Sequence, residues 1–588
     1  MFLGFGADVK GSMRRSMSVP VYERYKHAFT EALAKALGMD AQQVADMVKP
    51  AEPAHGDLSF ATFPLAKAQK KAPPAIATAL ARSVSVPGLE VVAAGPYVNA
   101  RFNVTPFTGE AIEAVREAGE RYGWSDAGAG KSVAIDYSSP NIAKPIAFHH
   151  IRSTVIGHAL ANLYRSQGYR VEGINYLGDW GKQFGLVAVG FQEFGVPERR
   201  GDMAHLVEVY VKANSRAEAD KAFDERAREF FRRMEENDPE ALKLWQEFRD
   251  TSLKDFAHIY ERLGIRHERV EGESRYQGKM EAVIEEIRRT VGVKESQGAL
   301  IVDMPYGEGE PPVLLKKNDG STLYATRDLA AAIDRFERFQ FHRSLYVVAS
   351  QQALHFKQLF AVLKRMGKEW ADRCVHVAFG LVKGMSTRKG TVVRLADVLD
   401  EARNRALEKV KDNVAAGKIQ TADPEKLAEQ IGLGAIVFGD LKNRRIVDYT
   451  FDWEEVLSFE GHTGPYLQYA HARACNVLRK AGVGLDAYDA ALLSLPEEQA
   501  LARVLARFPA AVEEAVEQNE PSILSRQMLD VAAAFSRWYT LGNQDRDKRV
   551  LVEGNDALRA ARLALTDAVR LTLRSGLSLL GIATPDTM

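Results

Sequence analysis

Three short stretches of this 588-residue chain combine residue types that can act on phosphate and charged substrates. In the first, the apolar run Val133–Tyr137 ends in Ser138, Ser139, Pro140 and Asn141, followed by Lys144 and then by His149 and His150 at the start of a helical pattern. A strand that passes into a helix start presents unpaired N–H groups and partial positive charge to an anion. Lys144 and His150 would add donors beside it. In the second, Gly384, Met385, Ser386, Thr387, Arg388, Lys389 and Gly390 make a small basic loop after the apolar run VHVAFGLV. In the third, DGSTLYATRDLAAAIDRF (Asp319–Phe336), Tyr324 and Asp328 are four residues apart and share one face of a helical turn. Each stretch alone also has an ordinary structural reading: a capped turn with surface histidines, a solvated basic turn, and a surface helix with an Asp-Arg pair.

The elements that must position these residues follow from hydrophobic periodicity. Between 128 and 455, strand-sized apolar runs (KSVAIDYSS, RVEGINYL, SLYVVAS, VHVAFGLV) alternate with amphipathic helices such as Arg152–Ser166. Such alternation predicts a doubly wound parallel sheet of Rossmann type, with nucleotide bound at the carboxyl end of its first strand. A charged helical stretch, about 195–289, reads as an insertion between the two halves of that sheet. Residues 17–127 mix patterns: a helix over Val21–Leu37, another near Pro74–Arg82, and strands at Leu89–Val92 and Tyr97–Asn103. They predict an α+β domain, closed by the small-residue linker DAGAG. After about Asp452 the strand signal ends, and four long helical patterns (Pro465–Ala481, Ala490–Gln518, Pro521–Leu541, Ala557–Leu580) predict an all-helical bundle over 456–588. Residues 1–16 read as a loose tail.

With the order fixed, the motifs resemble those of the arginyl-tRNA synthetases, a class I aminoacyl-tRNA synthetase family. SSPNIAKP followed by HIRST is similar to the stretch that holds the His-x-Gly-His signature of that class. Here the signature reads Ala147-Phe148-His149-His150, so the first histidine is alanine, the glycine is histidine, and His150 is retained. GMSTRKG resembles the Lys-Met-Ser-Lys-Ser loop in its arginyl form, where Thr387 replaces the second lysine and Lys144 is expected to compensate. The segment from Tyr324 to Asp328 resembles the family's Tyr-x-Thr-Arg-Asp element, and its spacing to ASQQALHF (Ala349–Phe356) is similar as well. NYLGDWGKQFG (Asn175–Gly185) is a further likeness, in which Asp179 and Trp180 read first as architecture.

The resemblance implies an enzyme that activates L-arginine with ATP and esterifies it to tRNA(Arg). It implies catalytic roles for Lys144, His149, His150, Ser386, Arg388 and Lys389, and ATP contacts from Ser139, Lys144, His150 and Met385. Arginine recognition would fall to Asn141, Tyr324, Asp328, Gln352 and Glu273. Guanidinium is a rigid planar fork of donors that stays charged, so its pocket needs carboxylates and an aromatic or amide wall. Magnesium is expected with ATP, activation is expected to require bound tRNA, and a monomer is expected. Gly461–Lys480 resembles the opening helix of the family's anticodon-binding bundle, with Tyr466, Tyr469, His471 and Arg473 near one surface for stacking on unpaired bases. Residues Asp556–Arg559 spell DALR, the tetrad after which that bundle is known. The first domain, with HGDLSFATFPLAKA and GPYVNARFN, resembles one that contacts the outer corner of tRNA, and Lys67, Lys70 and Lys71 are its candidate phosphate contacts.

Composition limits the alternatives. The 78 basic and 78 acidic residues cancel, so any RNA surface must be local. Two distant cysteines, Cys374 and Cys475, without CxxC spacing, argue against a disulfide framework and against a protein-bound zinc or other metal site. No apolar run approaches the length of a membrane span, and the cytoplasm is the expected location. Two other readings stay open at this level. One is a class I synthetase for another amino acid, such as cysteine or glutamine, against which the Tyr324/Asp328 element counts. The other is a synthetase-like RNA-binding protein without catalysis, which only Ala147 favours.

Overall fold

A computed structural model describes residues 19–52, 54–142, 144–303, 311–316, 324–384, 393–417, 419, 421–482 and 487–588. The expected N-terminal tail and the loop residues Met385, Ser386, Arg388 and Lys389 lie outside them. The chain forms two compact units.

The first unit comprises Met1–Asp126, Ala481–Ala510 and Ala534–Thr572. Helix Val21–Leu37 turns Val21, Tyr22, Tyr25, Phe29 and Leu33 inward at helical spacing and stops at Gly38, whose left-handed φ of 64° suits glycine. It covers an antiparallel sheet of β1 (Val48–Pro50), β2 (Leu58–Ala61), β3 (Leu89–Ala94) and β4 (Tyr97–Phe102), ordered β1-β2-β4-β3. Leu58 and Phe60 of β2 are buried at period two, as a half-covered strand requires. The same core takes in Ala502 and Ala506 of helix Pro496–Ala506. Arg503 Nε also donates to Asp57 Oδ1 at 2.7 Å. The sequence predicted two separate parts here, whereas part of the helical bundle shares the first domain's core. The bundle's expected second helix is two, Pro496–Ala506 and Phe508–Glu517. Pro509 explains the break: its ring cannot continue the preceding hydrogen-bond ladder.

The second unit comprises Ala127–Lys480, Ala511–Ala533 and Leu573–Met588. Its centre, among the described residues, is a five-stranded sheet of β5 (Ser132–Asp136), β6 (Arg170–Leu177), β7 (Arg269–Gly272), β11 (Arg343–Tyr346) and β12 (Cys374–His376). The order is β12-β11-β5-β6-β7 and every pairing is parallel. All five residues of β5 are buried, as befits a central parallel strand covered on both faces. From β5 the chain passes through helix Ile151–Ser166 to β6 on one side, and β11 flanks β5 on the other. The crevice beyond the carboxyl end of β5 is therefore a topological switch point, where open sheets of this kind bind ligands.

Two features depart from the sequence reading. The charged stretch 195–289 does hold helices Met203–Ala219, Lys221–Glu235 and Pro239–Arg262, but Arg269–Gly272 within it is the edge strand β7. Four residues are too few for a periodic signal. An antiparallel sheet of β8 (Lys294–Ser296), β9 (Ala299–Val302) and β10 (Val313–Lys316) follows, equally short. The run VHVAFGLV divides: its start extends β12, and its end is β13 (Val382–Lys383), which pairs in parallel with β14 (Tyr449–Thr450). No helix among the described residues is long and apolar enough to cross a membrane.

Candidate active site

The loops leaving β5, β6, β7 and β11 meet at the carboxyl edge of the sheet. Ser138 and Ser139 adopt left-handed φ of 68° and 48°, a sharp turn directly after β5. It is held from three sides. The Ser138 amide donates to Ser153 Oγ at 3.0 Å, and Ser153 Oγ donates to the Val347 carbonyl at 2.7 Å. Ser138 Oγ lies 2.8 Å from both Thr154 Oγ1 and Tyr260 Oη. Ser139 Oγ donates to Asp136 Oδ1 at 2.7 Å and accepts from the Tyr176 amide at 3.1 Å. Ser138 of the SSPN motif thus binds Ser153 of the HIRST motif. Ser139, expected at ATP, has its hydroxyl committed to the frame. Arg152, between them in sequence, is buried and donates from Nε to Asp440 Oδ2 at 3.0 Å.

Asn141 pairs with Gly178 in an isolated parallel bridge just past β6. A side chain at position 178 would collide with Asn141, since a Cβ there would lie 1.9 Å from its Oδ1. Glycine at 178 is what lets the two loops touch. Beyond Asn141, the exposed Lys144 places Nζ 4.9 Å from the Tyr210 ring centroid. His149 is exposed and its ring stands 4.2 Å from that of His150. His150 Nδ1 lies 3.1 Å from the Ala147 amide nitrogen. Nδ1 is also 3.2 Å from the Ala147 carbonyl, but the amide can only donate, and a ring that accepts from it carries its proton on Nε2. Burial, with His149 beside it, pushes the His150 pKa down to about 4, so at neutral pH it is an uncharged donor.

The same segment binds the first described residues after the basic loop. The Phe148 amide donates to the Val393 carbonyl and the Leu395 amide to the Ile146 carbonyl, each at 2.8 Å. They flank a bridge between Ala147 and Arg394. At the loop's other end, β13 is fixed by β14, and Gly384 (φ 90°) packs where a Cβ would meet the Phe451 carbonyl oxygen at 2.9 Å. The last described residues before and after the loop are therefore each tied to the fold, one of them directly to the histidine motif.

A second cluster is acidic. Glu273, in the first turn after β7, accepts from Arg327 Nη1 at 2.7 Å. Asp179, fully buried, fixes that turn by accepting from the Ser274 amide (2.8 Å), Ser274 Oγ (2.9 Å) and Arg249 Nε (3.0 Å). Asp179 is architecture, as the sequence suggested. Burial, with Asp328 and Asp179 nearby, pushes Glu273 up to about 7 against the pull of Arg327. Asp328, on helix Tyr324–Phe339, accepts from His355 Nε2 at 2.7 Å. Tyr324, one turn earlier, is 56% exposed, and its ring lies 5.0 Å from that of His355. Gln352 is exposed in the 3-10 turn Ser350–Gln352, immediately before the helix that carries His355.

Two participants escaped the sequence reading. Asp136, the last residue of β5, is buried and accepts from Arg335 Nη2 at 2.7 Å. Burial holds its carboxyl above the ordinary range, against the pull of Arg335 and Ser139. Arg335 lies between the rings of Tyr176 (4.9 Å) and Tyr346 (5.4 Å). Asp136 looked like strand, and Arg335 like a helix-surface charge. The only local cue was a carboxylate at a strand's carboxyl end.

On helix Gly464–Ala481, Tyr466 is half-buried and Tyr469 exposed, with the Arg473 guanidinium 4.5 Å from the Tyr469 ring. His471, expected on the same surface, is instead fully buried, with Nδ1 3.1 Å from the Pro585 carbonyl. It falls on the opposite face because two residues along a helix turn through about 200°. His471, Cys475 and Asp586 place ligand-type atoms within 4.8 Å of one another. Arg574 already pairs with Asp586, so the group reads as a clasp on the C-terminal segment. In the first unit, Lys67, Lys70 and Lys71 are all exposed.

Comparison with known proteins agrees along nearly all of the chain. Residues 112–453 match the family described as tRNA synthetases class I (R), catalytic domain. Residues 467–588 match the DALR anticodon binding domain, and 23–102 the arginyl tRNA synthetase N terminal domain. The arginine–tRNA ligase of Exiguobacterium sibiricum is 42% identical over 577 residues, covering 96% of this chain and 100% of that protein. That of Clostridioides difficile is 45% identical over 542 residues, covering 91% and 94% respectively. The Thermus thermophilus arginyl-tRNA synthetase structure superposes with a TM-score of 0.81 at 26% identity, over 96% of this chain and 100% of that one. With the motif order, the switch-point site and these matches in agreement, the chain belongs to the arginyl-tRNA synthetases of class I.

Proposed function

We propose that the protein activates L-arginine with ATP to arginyl-adenylate and transfers the arginyl group to the 3′ end of tRNA(Arg), releasing pyrophosphate and AMP. The arginine carboxylate attacks the α-phosphorus in line with the departing pyrophosphate. Negative charge spreads over the phosphoryl oxygens, so positioning and cationic stabilisation supply the rate. In this reading Lys144, the neutral Nε2–H donor of His150 and the loop residues Ser386, Arg388 and Lys389 surround the triphosphate. Met385 and His149 border the base, and magnesium arrives with ATP. A ribose hydroxyl of the tRNA terminus then attacks the adenylate carbonyl, and AMP leaves with the P–O bond intact.

The observation that carries arginine as the substrate is a charge imbalance. Of the four carboxylates gathered there, Asp136 is paired with Arg335, Glu273 with Arg327 and Asp179 with Arg249, while the partner described for Asp328 is an imidazole. Among the described residues the pocket keeps one carboxylate without a permanent cation, which suits a substrate that brings its own. Tyr324, Asn141 and Gln352 complete the arginine contacts in this reading. Tyr466, Tyr469 and Arg473 contact the anticodon loop, and residues 17–127 and 456–588 hold the tRNA while 128–455 carries out catalysis. A cytoplasmic monomer fits the reading.

The test is aminoacylation of total tRNA with each amino acid separately, together with ATP–pyrophosphate exchange with and without tRNA. Charging by arginine alone, with exchange only when tRNA is present, is expected. Asp328→Ala should raise the arginine KM about a hundredfold, the scale of losing a charge-assisted hydrogen bond of about 3 kcal/mol, while tRNA still binds. No charging by a folded, tRNA-binding protein would refute the catalytic reading and favour a binding protein.

A further inference from the structure

We infer that His355 is a positioning residue for arginine recognition: its Nε2–H fixes the Asp328 carboxylate without cancelling its charge. The inference rests on the reading of Asp328 as the guanidinium acceptor. A carboxylate at pH 7 only accepts, so the 2.7 Å contact requires the proton on Nε2 of His355 and binds Oδ2 of Asp328. Among the described residues, Oδ1 of Asp328 has no donor, and it remains for the substrate. Both side chains are largely shielded, with 12% of His355 and 23% of Asp328 exposed, so the bond is little loosened by water.

The fold explains why a histidine at this position reaches Asp328. His355 lies in the first turn of helix Ala353–Arg365, which starts at the carboxyl side of β11. Phe356 beside it is buried between the rings of Tyr346 (5.2 Å) and His376 (4.5 Å), and this fixes the backbone at 355. The imidazole then touches both residues of the Tyr324/Asp328 element, bonding the carboxylate and standing 5.0 Å from the phenol ring. The neighbouring carboxylates show what a cation does instead: Arg327 on Glu273 and Arg335 on Asp136 orient their partners and also offset their charge. An imidazole donor orients Asp328 and leaves that charge for the incoming guanidinium. Removing the ring would free the carboxylate to rotate, which costs affinity for arginine and not for ATP.

Steady-state aminoacylation by the full-length enzyme with tRNA tests this, with KM for arginine, KM for ATP and kcat measured for His355→Ala, His355→Gln, His355→Lys and Asp328→Ala. His355→Ala should raise the arginine KM roughly tenfold, the scale of one hydrogen bond to a charged group, with the ATP KM and kcat within about twofold of the parent. Glutamine, a neutral donor, should restore most of the loss. Lysine, a donor that adds a cation, should raise the arginine KM beyond the alanine value. An unchanged arginine KM in His355→Ala, equal rises in both KM values, or a lysine variant better than glutamine overturns the inference. If Asp328→Ala also leaves the arginine KM unchanged, the pocket reading itself fails. If Asp328→Ala raises it and His355→Ala does not, only the role of His355 falls.

Discussion

Burial acts in opposite directions on the acids and bases gathered at the strand ends. It pushes Glu273 up to about 7 and His150 down to about 4, so near neutral pH one is half-protonated and the other uncharged. A cationic substrate favours the ionised form of Glu273. Arginine should therefore bind more tightly as pH rises through about 7, and the arginine KM should fall between pH 6 and 8. In Glu273→Gln that limb should be flattened; an unaltered limb assigns it to another group. His150, Lys144, Tyr324 and Asp328 were recognisable as candidates because local sequence carries their motifs. Asp136, Arg335 and His355 were not, since nothing in a strand-end aspartate or a helical arginine tells that they face each other across 199 positions.

Among elements, close approach at glycine sets the packing that presents these residues. Gly157, on the helix after the histidine motif, lies against Tyr137 so closely that a Cβ would fall 2.1 Å from the tyrosine Cβ. Gly185, on helix Lys182–Phe194, would place a Cβ 1.9 Å from the Ala227 carbonyl oxygen. Backbone must move in either case. Gly157→Ala should lower stability by about 1–3 kcal/mol or more and also depress activity, because Tyr137 leads directly into the Ser138–Ser139 turn. Gly201→Ala, with nothing within 4 Å, is the neutral control. Urea midpoints of the three proteins decide it; equal midpoints for Gly157→Ala and the parent would disprove the close packing. The helices over Val21–Leu37 and Arg152–Ser166 were readable from their spacing. Strands β7 to β10, three or four residues each, were too short to show a period, and β7 is strand only because β6 offers it an edge.

At the scale of the whole molecule, two half-buried histidines of the second unit, His158 and His267, are packed against its frame. His158 lies against the backbone at Gly581, and the His267 ring sits 4.4 Å from Tyr137 and 4.9 Å from Tyr260. Burial lowers them to about 4 and about 3, against an ordinary 6.5. Between those values the unfolded chain binds protons that the folded one refuses. Each histidine therefore removes stability as pH falls below about 6.5, at about 1.4 kcal/mol per pH unit. The buried carboxylates Asp136 and Asp440, raised by burial, act in the opposite sense, so the comparison is made between variants. His158→Gln and His267→Phe should each shrink the drop in urea midpoint between pH 7.5 and 5. A drop of the same size in both variants would exclude these two as its source.

The sequence by itself determined the order of the parts, the parallel α/β character of the middle and the motifs that mark the family. Periodicity and contiguous motifs are local, and each is written within a few consecutive residues. Only the tertiary structure decided which motif residues are tied into the frame. It tied Ser138 to Ser153, gave the Ser139 hydroxyl to Asp136, buried His471, tied Ala147 to Arg394, and left Asp328 with an imidazole where its neighbours have guanidiniums. Such pairings join positions tens to hundreds of residues apart, and burial and charge balance exist only once the chain has folded.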